Sequence, residues 1–165
     1  MYWYTMKDEN VADICISLNP DKRIFFTRLK SPCFVNQRLI RIQVNDDVDS
    51  KLVAALLNSI LGLFFVESLG FGRGLGVLDL NASNLNKNLS ILNYNLIGDD
   101  DVEKILKAYN LLENRDVYNL EDELIMDDRK QFDLEVLSAF GLEKYYDDIL
   151  SSFMNMYNRR KSVEI

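Results

Sequence analysis

Apolar and polar residues alternate along the first third of the chain, which is the pattern of half-buried β-strands. The alternation predicts a strand over residues 12–18 and a partner strand over 23–29, joined by a turn at 19–22. Ser31-Pro32 should interrupt this run, because proline cannot donate a hydrogen bond within a central strand ladder. Alternation returns over residues 34–44, where polar and basic positions predict a strand with a basic outer face.

The apolar spacing then changes to the period of a helix. One long helix is predicted from about Asp49 to Leu69, with acidic caps before it and Gly70 after it. Glycines occupy every second position from residue 70 to residue 76. We read this stretch as a flexible segment that carries Arg73, or simply as a loose connector. A short strand at 77–80, a helical turn at 82–87 and a short strand at 89–92 complete this part of the chain.

From Gly98 onward the pattern becomes that of acidic helices. Helices are predicted from Asp99 or Asp100, over 120–125, from Asp127 or Asp128 to Gly141, and over 143–160. We therefore predict an α+β fold in two parts. Residues 1–97 form an α+β domain with a small antiparallel or mixed sheet and one long helix, and residues 98–165 form a helical segment packed on it. Its expected buried residues are Leu106, Leu137, Phe140, Leu150 and Phe153.

Composition excludes several kinds of chemistry. The 165 residues are 48% hydrophobic, enough for a folded core, and they include no histidine. Ser-His-Asp and Cys-His catalysis are therefore absent. Cys15 and Cys33 lack the close pairing of zinc sites, so we expect reduced, partly buried thiols in a cytoplasmic protein. No membrane span or secretion signal is predicted, and the glycine series fits neither the dinucleotide fingerprint nor the phosphate-binding loop.

The charge is unevenly distributed along the chain. Residues 1–97 carry a net +1 and residues 98–165 carry −8, which together give the overall −7. Between Lys22 and Arg41 there are six basic residues and no acidic residue. This cluster is suited to a polyanion, although cations that merely solvate one face of a sheet would give the same count.

Residues 52–67, LVAALLNSILGLFFVE, are similar to the "LLNS" helix in the target-recognition regions of bacterial restriction-modification adenine-N6 DNA methyltransferases. In that family a glycine-rich stretch, an "LDL" strand, an "S-x-L" turn and an "L-P-I" strand follow. Here they correspond to residues 70–76, 78–80, 83–85 and 89–91, with Ser90 in place of the usual proline.

The carboxyl-terminal part also resembles the family's end, which has the pattern "E-L…D-R…D…V-L-x-A-x-G-L" before a basic terminus. The matching residues are Glu123-Leu124, Asp128-Arg129, Asp133, Val136-Leu137, Ala139, Gly141-Leu142 and Arg159-Arg160-Lys161. The resemblance therefore covers residues 23 to the end.

The resemblance implies the DNA-recognition portion of such an enzyme, without its catalytic half. S-adenosylmethionine would bind that missing half, and no catalytic residue, cofactor site or metal ligand is implied in this chain. The implied partners are double-stranded DNA and the methyltransferase catalytic domain or other restriction-modification subunits. The alternative is a protein-interaction module that docks on such a subunit without touching DNA.

Candidate DNA-contacting residues follow from charge and from base-edge chemistry. Arginine suits guanine, asparagine and glutamine suit adenine, and arginine or lysine binds phosphates. The candidates are Arg23, Arg28, Lys30, Asn36, Gln37, Arg38, Arg41, Arg73, Asn84 and Lys87. A DNA-binding module should present these cations on one surface, whereas a scaffold could scatter them.

Overall fold

The computed structural model describes residues 11–162 and confirms the α+β class. The strands are β1 (Val11–Ser17), β2 (Thr27–Phe34), β3 (Leu39–Ile42), β4 (Phe71–Gly72) and β5 (Leu78–Asp79). The helices are α1 (Ser50–Asn58), α2 (Ile60–Leu69), α3 (Ala82–Asn88), α4 (Asp99–Glu113), α5 (Leu120–Glu123), α6 (Asp127–Ala139) and α7 (Tyr146–Lys161). Single 3₁₀ turns at 74–76, 94–96 and 143–145 connect some of them.

The main sheet has the order β2-β1-β3, with β1 antiparallel to both neighbours. The predicted strand over 23–29 is displaced: β2 begins at Thr27 and continues through Ser31-Pro32 to Phe34. Proline is tolerated there because β2 is an edge strand, and the register shifts at a bulge opposite residues 12–14. The strand therefore does not end at Ser31-Pro32 as predicted, although its pairing with β1 is interrupted between Arg28 and Cys33.

The helix predicted from Asp49 to Leu69 is interrupted at Ser59. It forms α1 and α2, whose axes meet at 70°. The Ser59 hydroxyl donates to the Leu56 carbonyl (2.7 Å) and accepts from the Gly62 amide (3.2 Å), so it ends one helix and caps the next. The Ile60 amide, free at the start of α2, donates to the Asp133 carboxylate of α6 (2.7 Å).

Asn58, just before the break, binds the chain that leads into β2. Its side-chain oxygen accepts from the Phe26 amide (2.8 Å) and its nitrogen donates to the Phe26 carbonyl (2.9 Å), as a neighbouring strand would. The same nitrogen donates to the Ala54 carbonyl (2.9 Å) and the Tyr109 hydroxyl (3.2 Å). A single buried amide therefore joins α1, α4 and the start of β2.

Arg129 and Asp133 of α6 complete this junction. Their buried side chains form an ion pair of 2.8 Å, and Arg129 also donates to the Asn58 carbonyl (2.8 Å). Burial raises the pKa of the Asp133 carboxyl, and the charge of Arg129 acts in the opposite direction. Two segments that carry the family resemblance, the LLNS sequence and the D-R…D pattern, therefore meet in one hydrogen-bonded cluster.

The acidic helices pack on the first part of the chain. Helix α4 contacts α1 and α6, helix α7 contacts α2, and one hydrophobic core includes residues of both parts. Of the residues expected to be buried, Leu137 and Phe153 are fully buried. Leu106, Phe140 and Leu150 are half-buried against the core.

The segment after α3 differs from the prediction. Residues 89–92 are not a strand, and Leu89 and Leu92 instead pack against the core from an irregular segment. The alternation of apolar and polar residues over 89–92 therefore reflects this packing and not pairing with another strand. Within residues 11–162 no single helix has the length and apolar character to cross a membrane. Helices α1 and α2 pass that test only as a bent pair, and most of their residues are buried here.

Replacing Asn58 with alanine should lower the free energy of unfolding by about 3 kcal/mol, because it leaves buried partners in the Phe26 backbone unsatisfied. Urea denaturation measures this change. The matched control is Asn86→Ala, which alters an exposed asparagine of α3 and should change stability by less than about 0.5 kcal/mol. Equal effects of the two substitutions would contradict the role assigned to Asn58.

Tyr109 provides a pH-dependent test of the same junction. Burial, followed by the nearby Glu113 charge, raises the pKa of Tyr109 from 10.0 to about 12. Above pH 10 the unfolded chain loses this proton before the folded chain does. Stability should therefore fall by roughly 1 kcal/mol per pH unit between pH 10 and pH 12. Urea denaturation of Tyr109→Phe should not show this loss of stability between pH 10 and pH 12. If the stabilities of the two proteins fall in parallel over this range, the loss does not come from Tyr109.

Candidate nucleic-acid interface

Three predicted contact residues form the turn that precedes β3. The Asn36 side-chain oxygen accepts from the Arg38 amide (2.9 Å), and the Asn36 carbonyl accepts from the Leu39 amide (2.9 Å). This local bonding shapes the turn, and the side chains of Asn36, Gln37 and Arg38 are exposed. The turn therefore presents two amides and one guanidinium side by side.

The register of the sheet separates two of the predicted arginines. Arg41 of β3 lies opposite Cys15, whereas Arg28 of β2 lies opposite Ile14. Successive residues of β1 point to opposite faces, so the two arginines are on different faces of the sheet. The face with Ile14 and Ile42 packs on the core, and Arg41 is exposed on the other.

On the core-facing side, Arg28 is ion-paired with Glu113 of α4 at 2.7 Å. Lys51 of α1 approaches the same carboxylate at 3.3 Å. Glu113 thus joins α1, α4 and β2, and Arg28 has a structural partner that the sequence did not reveal. We therefore remove Arg28 from the group of cations directed toward a ligand.

The remaining predicted residues are dispersed. Arg23 is exposed in the segment before β2, and Lys30 is exposed within β2. Lys87 is exposed in the last turn of α3. Asn84 instead has a local structural role. Its side chain donates to the Leu69 carbonyl at the end of α2 (2.9 Å) and accepts from Asn88 (2.6 Å).

The glycine series forms the hairpin β4–β5, which packs against the end of α7 instead of hanging as a loose connector. A Cβ on Gly72 would lie 3.2 Å from the Arg160 side chain. Gly76 has φ +75, and a Cβ there would lie 2.9 Å from the Lys161 side chain. Gly76 is therefore favoured by its backbone conformation and by close packing, whereas a Cβ at Gly72 would need only a small shift of the Arg160 side chain.

Buried charges hold the hairpin in place. Arg160 pairs with Glu67 of α2 through two bonds of 2.7 and 3.0 Å, and it also donates to the Gly76 carbonyl. On the hairpin itself, Arg73 pairs with Asp79, which also accepts from the Asn19 side chain (2.8 Å). The hairpin is thus bonded both to α7 and to the chain that follows β1.

Sequence reasoning missed the basic residues at this place. In the sequence, the run Arg159-Arg160-Lys161 matches the basic terminus of the family pattern, and its local pattern contains no signal that it meets the glycine series. In the fold, Arg160 is buried under the hairpin, Arg159 is exposed, and Lys161 pairs with Asp21 at 3.0 Å.

Metal and thiol chemistry have little support here. Within residues 11–162, no group of three or more cysteine or carboxylate residues could hold a metal ion. Both cysteines are free, and Cys15 is buried, but Cys33 is exposed, so the expected partial burial is wrong for Cys33. Burial raises the pKa of Cys15, which favours the unreactive thiol form.

A cavity of about 200 Å³ lies between the entry to β2 and helices α4 and α5. Asn58, Tyr109 and Arg129 contribute to its walls. Each of these polar side chains already has an internal hydrogen-bond partner. The cavity therefore borders the hydrogen-bonded junction between α1, α4 and α6.

No family model, curated protein or solved structure matches this chain. The resemblance to the methyltransferase family therefore rests on the sequence motifs alone, and family membership stays a prediction.

Removing one member of the Arg160–Glu67 pair should destabilise the protein much more than removing both. Arg160→Met alone should cost about 3–5 kcal/mol, because it leaves a buried carboxylate without its counter-charge. The double variant Glu67→Met/Arg160→Met should recover most of that loss, since it removes both buried charges. Urea denaturation of both variants measures the difference, and equal stabilities would contradict this account.

Proposed function

We propose that this chain is the DNA-recognition portion of a restriction-modification adenine-N6 DNA methyltransferase. The observation that carries the proposal is the exposed turn at residues 36–38, continued by Arg41 on the outer face of β3. Arginine and side-chain amides are the groups that read base edges, and they lie here beside one another. The resemblance in the LLNS and D-R…D segments supports the same function.

The phosphate-binding set is smaller than the sequence indicated. Arg28 is tied to Glu113, and Arg73 pairs with Asp79 although 65% of its side chain remains exposed. The predicted cations whose side chains are exposed are Arg23, Lys30, Arg38, Arg41 and Lys87. These five residues belong to the first part of the chain, away in sequence from the acidic helices.

The acidic helices would face away from DNA in this proposal. Asp99, Asp100 and Asp101 begin α4, and Asp147 and Asp148 begin α7, all of them exposed or half-exposed. Phosphates repel such clusters, which favours one orientation of the duplex. A catalytic domain that carries S-adenosylmethionine, or another restriction-modification subunit, would complete the enzyme. The proposed location is the cytoplasm.

A protein-interaction module is the second candidate. It is favoured by large exposed apolar side chains: Leu111 and Ile125 of the acidic part are exposed by 60% and 82%, and Leu96, just before that part, is exposed by 75%. Such residues could dock on a catalytic subunit. The two candidates differ in whether the chain itself binds DNA.

DNA binding should show a marked dependence on salt. Each neutralised phosphate lowers the logarithm of the binding constant by about 0.9 for a tenfold rise in salt concentration. Three to five contacts therefore predict a slope of about −3 to −4.5 when log affinity is plotted against log salt concentration. Affinity should lie in the roughly micromolar to submillimolar range of non-specific contacts. Fluorescence anisotropy with a labelled duplex measures both quantities on the full chain.

Reversal of Arg38 and Arg41 to glutamate should abolish this binding. The matched control is Lys107→Glu/Lys144→Glu, which makes the same charge change at exposed positions of the acidic part and should retain binding. Equal losses in both variants would show that only the net charge matters. Normal binding by Arg38→Glu/Arg41→Glu would favour the protein-interaction module.

A further inference from the structure

The cavity between the entry to β2 and helices α4 and α5 has the size of a small-molecule site. Its volume is about 200 Å³, and an apolar protein cavity of about 150 Å³ is large enough to hold benzene. The apolar side chains of Phe26, Leu112 and Leu120 form part of its wall. The cavity can therefore hold one six-membered ring with a small polar substituent.

Tyr109 contributes a buried hydroxyl whose own hydrogen has no acceptor within residues 11–162. The side chain lines the cavity and is only 5% exposed. Its oxygen lies 3.2 Å from the Asn58 amide nitrogen, but that nitrogen lies closer, at 2.9 Å, to the carbonyls of both Phe26 and Ala54. Because an amide nitrogen has only two hydrogens, those carbonyls take most of its capacity to donate. The Tyr109 hydroxyl can therefore donate to a molecule inside the cavity.

Arg129 supplies a second buried donor. It lines the cavity, is 4% exposed, and uses Nε and Nη2 to bind Asp133 and the Asn58 carbonyl. Its remaining nitrogen, Nη1, has no acceptor among the residues that the structure describes. In the same part of the chain, no fully enclosed side-chain nitrogen or oxygen lacks a hydrogen-bond partner, so Nη1 borders open space. The open space that Arg129 lines is this cavity.

The two donors lie close to each other. Both residues are within hydrogen-bonding distance of Asn58, at 3.2 Å for Tyr109 and 2.8 Å for Arg129. Both also pack against Phe132: the two ring centroids are 5.6 Å apart, and the guanidinium carbon of Arg129 is 5.7 Å from the centroid. This proximity allows a single ligand group with two acceptor oxygens to bind both donors.

The charges of the lining favour a carboxylate as that group. Three arginines and two glutamates line the cavity, which gives the lining a formal charge of +1. Both glutamates, Glu113 and Glu123, are already paired with lining arginines at 2.7 and 2.8 Å, which weakens their repulsion of an anion. Asp133 binds Arg129 through Nε and Nη2 and is not among the lining residues. An anion therefore meets donors and paired charges in the cavity.

We propose that this cavity is a binding site for a small aromatic carboxylate. The ring packs on the apolar wall, and the carboxylate accepts from the Tyr109 hydroxyl and from Nη1 of Arg129. Hydrogen bonds to ionised groups are roughly twice as strong as neutral ones, so the carboxylate anchors the ligand. The two donors belong to α4 and α6, and a ligand that binds both stabilises the contact between these helices. The site goes beyond the proposed DNA-recognition function and does not depend on it.

Benzoate is the probe, and saturation-transfer difference NMR on the full chain measures its binding. For a ligand of this size we expect a Kd on the order of 0.1–1 mM. Benzamide keeps the ring and one acceptor oxygen but has no charge, so it should bind about tenfold more weakly. Absence of benzoate binding at about 10 mM would overturn the site, and equal binding of the two probes would overturn the assignment to a carboxylate.

The variants test where benzoate binds. Tyr109→Phe removes the hydroxyl and keeps the ring, so it should weaken benzoate binding about tenfold. The matched control is Tyr157→Phe, which makes the same change at a buried tyrosine outside the cavity and should bind as the original chain does. Equal binding by the two variants would show that the Tyr109 hydroxyl does not hold the ligand, and the proposed site would be wrong.

A third variant closes the cavity without altering either donor. Val117 lines the cavity and is exposed, so Val117→Trp should place an indole in the opening without disturbing the core. Urea denaturation should show a stability close to that of the original chain, and the benzoate signal should be lost. If this folded variant binds benzoate as the original chain does, the ligand lies elsewhere and the proposal is overturned.

Discussion

The helix break at Ser59 is the constraint on which the rest of the structure depends. Ending α1 at this point exposes the Asn58 carbonyl and frees the Ile60 amide, and Arg129 and Asp133 of α6 bind these two groups. Because both partners come from one turn of α6, the break and α6 fix each other's position. The Asn58 side chain then sets where the chain enters β2. Unpaired, these buried groups would each cost about 1–3 kcal/mol, so the contacts from α6 stabilise the bend.

The spacing of apolar residues along the sequence predicted the class of fold and most of its helices and strands. This was possible because the spacing that identifies a helix or a strand involves only residues close in sequence. It missed the break at Ser59, since asparagine and serine are acceptable inside a helix. The Asp133 carboxylate that stabilises the bend is 73 positions from its partner Ile60. The spacing also placed the second strand four residues too early. Phe26 is bonded to the Asn58 side chain instead of a strand, and that partner is 32 positions away.

The candidate site was predictable to a similar degree. Charge counting identified Arg38 and Arg41 as exposed cations, and the structure places both at the surface. It could not show that Arg28 meets Glu113, 85 positions away, or that Asn84 bonds the end of α2. The glycine spacing excluded nucleotide-binding loops but did not reveal the packing of Arg160 and Lys161 against Gly72 and Gly76. In each case the missing information was a contact distant in sequence.

The bond between Arg160 and Glu67 joins residues 93 positions apart, and this affects how the protein is assembled during synthesis. The sheet, α1 and α2 leave the ribosome well before Arg160 is added, at the usual rate of roughly 5–20 residues per second. During that interval of several seconds the hairpin has no α7 to pack against, and Glu67 has no counter-charge. The nascent chain therefore contains an unneutralised carboxylate and exposed apolar surface on α2. Chaperones that bind such surfaces have their best opportunity in the period before the last helix is made.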